Sequence, residues 1–152
     1  MGSIKFSEKI LINSDSSLIF DYTQDYNNRL LWDTFLIRAD IIDGAEKAGL
    51  GVKTYYVAKN GIGMETEYVS FNRPKVTAVK MIKGPYMFKS FLGSWTFKGL
   101  EEQLTEVTFL YSFQLRFPFN IAPRIITNNL RNNVKQRLAD LKSNIEVTSN
   151  QV

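Results

Sequence analysis

Neither histidine nor cysteine occurs among the 152 residues. Lacking cysteine, the chain has no disulfide and no thiolate nucleophile or metal ligand; lacking histidine, it has no imidazole base or ligand. A zinc centre and a Ser-His-Asp triad are thereby excluded, and no metal or other cofactor is expected. Freedom from disulfides fits a reducing compartment, and the stretch from Met1 to Ile12 mixes charged with apolar residues instead of forming a secretory core, so a cytoplasmic protein is expected. Also missing is any run near the roughly 20 consecutive apolar residues that a membrane-spanning helix needs. Repeats, low-complexity tracts and linker-like Pro, Gly or Ser runs are absent too, which points to one domain over residues 1–146, with 147–152 as a disordered polar tail.

Aromatic residues are what the chain has in quantity. Eleven Phe, seven Tyr and two Trp make up 13% of it, within a hydrophobic content of 44% and a charged content of 22%, the composition of a globular domain. Rings of this size either fill a solid core or wall a cavity without filling it. A formal net charge of +4 permits contact with anionic partners. The aromatics, however, sit at strand-inward positions instead of alternating with Lys and Arg on an exposed platform, so no nucleic-acid partner is expected.

Ile4, Phe6, Ile10 and Ile12 share one parity, with Lys5, Ser7, Lys9 and Asn13 on the other, the period of a half-buried strand. Ser14 and Asp15 then offer side-chain oxygens to a helix start whose apolar stripe is Leu18, Ile19 and Tyr22. A second short helix is expected from about Asp25 to Trp32, carrying Tyr26, Leu30 and Trp32, before an extended run at Phe35 to Ile42. Turn residues next divide the chain into strands at Val52 to Lys59, Ile62 to Phe71, Val76 to Lys83, Tyr86 to Lys98 and Gln103 to Phe117. Asn60-Gly61 reads as a two-residue hairpin turn. Such short connections imply an antiparallel meander. In the last strand Val107, Phe109, Tyr111, Phe113, Leu115 and Phe117 alternate with polar residues.

The final element starts near Asn120, with Pro123 in its first turn. Ile121, Ile125, Leu130, Val134, Leu138, Leu141 and Ile145 then give an apolar stripe on a helix of about 25 residues, on the order of 37 Å long. The fold class expected is therefore α+β: a curved antiparallel sheet of about seven strands, two short helices and one long C-terminal helix. One rod cannot cover a broad twisted sheet, so a cavity is the natural leftover between them.

Three motifs carry a family resemblance. The run from Ser14 to Tyr22, followed by Asp25, Asn27 and Trp32-Asp33, is similar to the opening of the START/SRPBCC superfamily, the helix-grip fold. Glu67 to Pro74 resembles its mid-sheet strand and Pro turn, although Lys75 stands where a second Pro is usual. Gly93 to Phe97, with Thr105 to Phe109, resembles the strand pair preceding the long helix. Over about residues 3 to 143 the pattern resembles the polyketide cyclase/dehydrase-like and coenzyme-Q-binding-like groups. That resemblance implies an internal cavity holding a small hydrophobic partner such as a lipid, quinone or aromatic polyketide. Two other roles stay open: a metal-free cyclase or dehydratase acting on a poly-β-ketone, and a protein-interaction module.

The candidate wall of the cavity is Tyr56, Met64, Met81, Phe91, Trp95, Phe109, Tyr111, Phe113, Ile126 and Leu130. Tyr111 and Trp95 either orient a ligand oxygen or are core residues whose donors find backbone partners. Met64, Met81 and Met87 suit an adaptable pocket or a plain core. No motif identifies a catalytic residue. Glu65 and Glu67 share a parity with Val69 and Phe71; either they edge the cavity as acid and base or the strand bulges and both are solvated, the second being expected. Arg124, Arg131, Lys135, Arg137 and Lys142 make the last helix basic. Because its apolar stripe is needed to close the core, these residues are expected to form a solvated face instead of a lipid-binding one.

Overall fold

The first strand, β1 (Ile4–Ile12), turns Phe6 and Ile12 fully inward on the parity its sequence dictates. Asp15 then caps α1 (Ser16–Gln24), its Oδ1 accepting the Leu18 N–H at 2.9 Å. Ile19, Phe20 and Thr23 form the buried side of α1, whereas Leu18, expected there, is exposed. A shorter α2 (Arg29–Trp32) follows, and it buries Arg29 with Trp32 while Leu30 and Leu31 face outward. The computed structural model describes residues 2–150, with side chains through residue 147.

Six strands follow: β2 (Leu36–Ile41), β3 (Lys53–Ala58), β4 (Gly63–Asn72), β5 (Val76–Lys83), β6 (Phe88–Glu101) and β7 (Leu104–Leu115). All pairs are antiparallel, in the order β1-β7-β6-β5-β4-β3-β2, and the sheet curls into a half-barrel. The β3–β4 loop is one residue longer than expected. Gly61 N–H bonds the Ala58 carbonyl at 2.9 Å and Ala58 N–H bonds the Ile62 carbonyl, with positive φ (+87°) at Gly61 but not at Asn60. A two-residue turn of the expected kind needs positive φ at both central residues; this one is a three-residue loop closed by its glycine.

After β7, a single 3₁₀ turn at Phe119–Ile121 leads into α3 (Pro123–Asn150). Val134, Leu138, Leu141 and Ile145 are fully buried by α3 against the sheet, chiefly β1, each contributing roughly 1.5–3 kcal/mol. The helix continues into the stretch expected as a tail from 147, and residues 151–152 lie outside the described residues. Phe117, Ile121 and Ile125 are exposed instead of inward. The β6–β7 pairing ends at Phe88–Leu115, so beyond Leu115 no partner strand holds the alternation. On the first turn of α3 it is Ile126, not Ile125, that turns to the interior. Among the described residues no helix is long and apolar enough to cross a membrane.

Candidate functional site

Between the inner face of the sheet and α3 lies a cavity of about 460 Å³. Its sheet side is aromatic. Trp95, Phe109 and Tyr111 lock edge to face, with ring centroids 4.4 and 4.8 Å apart, and Phe91 lies 4.7 Å from Tyr111. Gly93 makes this possible, because a Cβ there would stand only 3.1 Å from the Tyr111 ring. Met64 and Tyr56 line the cavity from β4 and β3, and Ile126 and Leu130 line it from α3.

Two candidate wall residues lie elsewhere. Met81 is off the cavity, its side chain beside Gly84 and Met64 where the β5–β6 connection leaves β5. Phe113 is wholly buried behind Phe88 and Phe91, with ring centroids 5.6 and 6.1 Å away, and those two rings take the place on the wall. Neither Glu65 nor Glu67 reaches the cavity. An extra residue at Val69 breaks the β4–β5 register between Tyr68 and Ser70, so Thr66 and Tyr68 point inward before it and Phe71 packs against Phe20 after it.

The polar part of the wall is built around a buried carboxylate. Asp33 accepts Arg137 Nε at 3.0 Å and Nη2 at 2.9 Å, and its Oδ2 also accepts Arg29 Nε at 2.8 Å. All three side chains are at least nine-tenths buried. Arg29 further donates through Nη1 to the Thr23 carbonyl at 3.2 Å, and Arg137 Nη1 donates to the Tyr111 hydroxyl at 2.7 Å. Burial alone would push the Asp33 carboxyl up; the Arg137 and Arg29 guanidiniums more than offset this and hold it below the usual carboxylate range. Both guanidiniums are correspondingly held in the charged form against the burial that opposes it. Arg137 thus leaves the solvated face expected of it, whereas Arg131 and Lys142 stay on that partly exposed face, Arg131 bonding Glu8 at 2.7 Å and Lys142 bonding the Leu11 carbonyl and Glu146, both at 2.7 Å.

A chain of hydroxyls runs beside this cluster. Tyr68 donates to Gln24 Oε1 at 2.5 Å, which spends its one proton. Tyr26, 2.8 Å away, must therefore donate to Tyr68, and Tyr56 must donate to Tyr26. Gln24 Nε2 continues to Thr23 Oγ1 and that hydroxyl to the Phe20 carbonyl, both at 2.9 Å. Burial, with Tyr56 adding to it, pushes the Tyr26 and Tyr68 phenols well above their ordinary range, so both stay neutral. The end of the chain at the cavity, Tyr56 Oη, is left as an acceptor, whereas Tyr111 Oη, already accepting from Arg137, keeps its proton to donate.

Sequence reasoning missed Arg29, Asp33, Arg137, Tyr68 and Gln24. A signal existed. Arg29 and Asp33 stand four apart next to a tryptophan, and Arg137 lies three beyond Val134 and four before Leu141, on the apolar stripe itself.

The chain belongs to the polyketide cyclase/dehydrase and lipid transport family, whose model matches residues 3–146. Among curated proteins none matches it in sequence. Its fold is similar to the Zhui aromatase/cyclase from a Streptomyces species, at 14% identity and a TM-score of 0.78, with 95% of this chain and 94% of that one covered. A Thermus thermophilus protein superposes with a TM-score of 0.80 at 14% identity, covering 96% and 99% of the two chains. A START superfamily protein from Mycobacterium smegmatis does so at 0.74 and 9%, covering 93% and 98%. The helix-grip fold of the START/SRPBCC superfamily is thus the fold of this chain.

Proposed function

We propose that the protein binds one small hydrophobic molecule, of the lipid, quinone or aromatic polyketide kind, inside the cavity and acts as its carrier or sensor. The observation carrying this reading is a wall whose surface is mostly apolar, from Phe, Trp, Met, Ile and Leu, with the polar groups of Arg29, Tyr56, Tyr111 and Arg137 and an edge of Asn129, Asn132 and Asn133 set into it, the make-up of a small-molecule site. Apolar surface supplies the affinity; Tyr56, Tyr111 and Arg29 fix the orientation. Native mass spectrometry of freshly purified protein tests it. A stoichiometric adduct of small mass is expected, or a hydrophobic library member that raises stability by about 2.7 kcal/mol at a hundred times its Kd. Protein that carries no adduct and responds to no library member contradicts the proposal.

A second reading, a cyclase or dehydratase folding a poly-β-ketone, is favoured by one specific arrangement. Tyr111 keeps a proton to donate and its oxygen is held by the buried Arg137 cation, which favours proton donation to a developing enolate or alkoxide. The aromatase/cyclase among the structural neighbours supports it. Tyr111→Phe should then abolish cyclised product while the protein remains folded. An unchanged product profile opposes catalysis.

A further inference from the structure

The polar side of the cavity carries an unbalanced charge. Arg29 and Arg137 contribute two positive charges and Asp33 one negative, so the cluster holds a net charge of one positive unit. No other acidic side chain bonds to it among the described residues. The faces of Tyr26, Trp32 and Tyr56, with the Arg29 guanidinium 5.9, 5.0 and 5.4 Å from their centroids, share part of that charge. Ring faces are weak partners beside a carboxylate. A cation that is buried without a full counter-ion is costly, and the cost is relieved by an anion from outside.

The donors for such an anion exist. Arg29 lines the cavity, and its Nη2 has no hydrogen-bond partner among the described residues. Tyr111 lines it too and keeps its hydroxyl proton. We infer that the guest is an acid: an apolar body bearing one anionic oxygen group, a carboxylate, enolate or phenolate, which docks against Arg29 and Tyr111. This rests on the binding role proposed above and narrows it. A neutral guest would leave the cluster's charge uncompensated, and a cationic guest would be repelled.

The test is calorimetric titration at neutral pH with three probes sharing one ring system: naphthoate, naphthalenemethanol and naphthylmethylammonium. Naphthoate should bind roughly ten- to hundredfold more tightly than the alcohol, the range of a charge-assisted hydrogen bond, with the ammonium weakest. In Arg29→Met, where Arg137 and Asp33 remain as a neutral pair, the acid-to-alcohol ratio should fall to within about threefold of unity. If that variant does not fold, the order of the three probes on the native protein decides alone. Equal binding of acid and alcohol overturns the inference and leaves the cavity's binding role standing. An ammonium that binds best overturns it too. Failure of all three to bind overturns both.

Discussion

Arg137 on α3 and Asp33 just beyond α2 hold each other through two hydrogen bonds of 3.0 and 2.9 Å, although 104 residues separate them. The pair ties the helix that closes the cavity to the short helix at its side. Arg29 bonds the same carboxylate, so removing Asp33 strands two buried cations at once. Asp33→Ala should therefore cost about 3–5 kcal/mol in urea denaturation. Asp21→Asn, which breaks an exposed two-pronged pair to Arg73 (2.7 and 2.8 Å), should cost under about 1 kcal/mol. Similar losses in the two variants would mean that the buried cluster does not hold α2 to α3.

Acid should expose the same cluster. Asp33 titrates below its ordinary 3.8 in the folded protein, so its contribution is complete above that value, where the carboxyl is ionised folded and unfolded alike. As pH falls further the unfolded chain takes up the proton first, and the contribution is lost through the lower folded value. Asp21, lowered by its hydrogen bond to Arg73, acts in the same direction but at the exposed surface. Melting temperature should drop steeply below about pH 4 and change little from there to neutrality. A flat profile down to about pH 2 would contradict an ionised Asp33.

Tyr111→Phe takes from Arg137 Nη1 its acceptor inside the protein. Leaving that donor unpaired should destabilise the fold by about 1–3 kcal/mol. Gly93→Ala acts on the same ring from the neighbouring strand, since the new methyl would press on it. Guest affinity should fall in both variants, measured by titration on protein shown to be folded. Full affinity in both would remove Tyr111 from the binding surface.

Glu65 and Glu67 make the opposite prediction. With the bulge at Val69 turning them away from the cavity, the double change Glu65→Gln with Glu67→Gln should alter stability by within about 0.5 kcal/mol. Guest binding should not change. A marked loss of affinity would mean that β4 presents its other face to the interior.

Strand alternation made β1 and β7 legible, and the stripe Val134, Leu138, Leu141 and Ile145 made α3 legible, because burying apolar residues leaves a period in the sequence. The turn of β4 was legible only as a choice, since a bulge inserts one residue without marking which. Most of the candidate cavity wall could be named because large inward rings on a curved sheet face whatever lies inside it. The charged cluster could not: Arg137 occupies a stripe position, but counting Arg as polar assigns it to solvent, and burial becomes possible only when Asp33 arrives from 104 residues away. In α2, four residues are too few to set a period, so Leu30, expected on the apolar side, faces solvent while Arg29, for which no burial is expected, is enclosed.

Trp95 stands on the wall of the oily hollow that is to admit a guest, while Trp32 lies fully buried against it, ring centroids 6.0 Å apart. An NMR titration with a bicyclic hydrophobic acid, run on the native protein and on Leu130→Trp, tests guest entry directly. Saturable one-to-one shifts are expected at the Trp95 indole N–H and its neighbours in the native protein, and their loss when the added indole fills the cavity. Shifts confined to exposed residues such as Phe117 and Ile121, or the same shifts in both proteins, would contradict it.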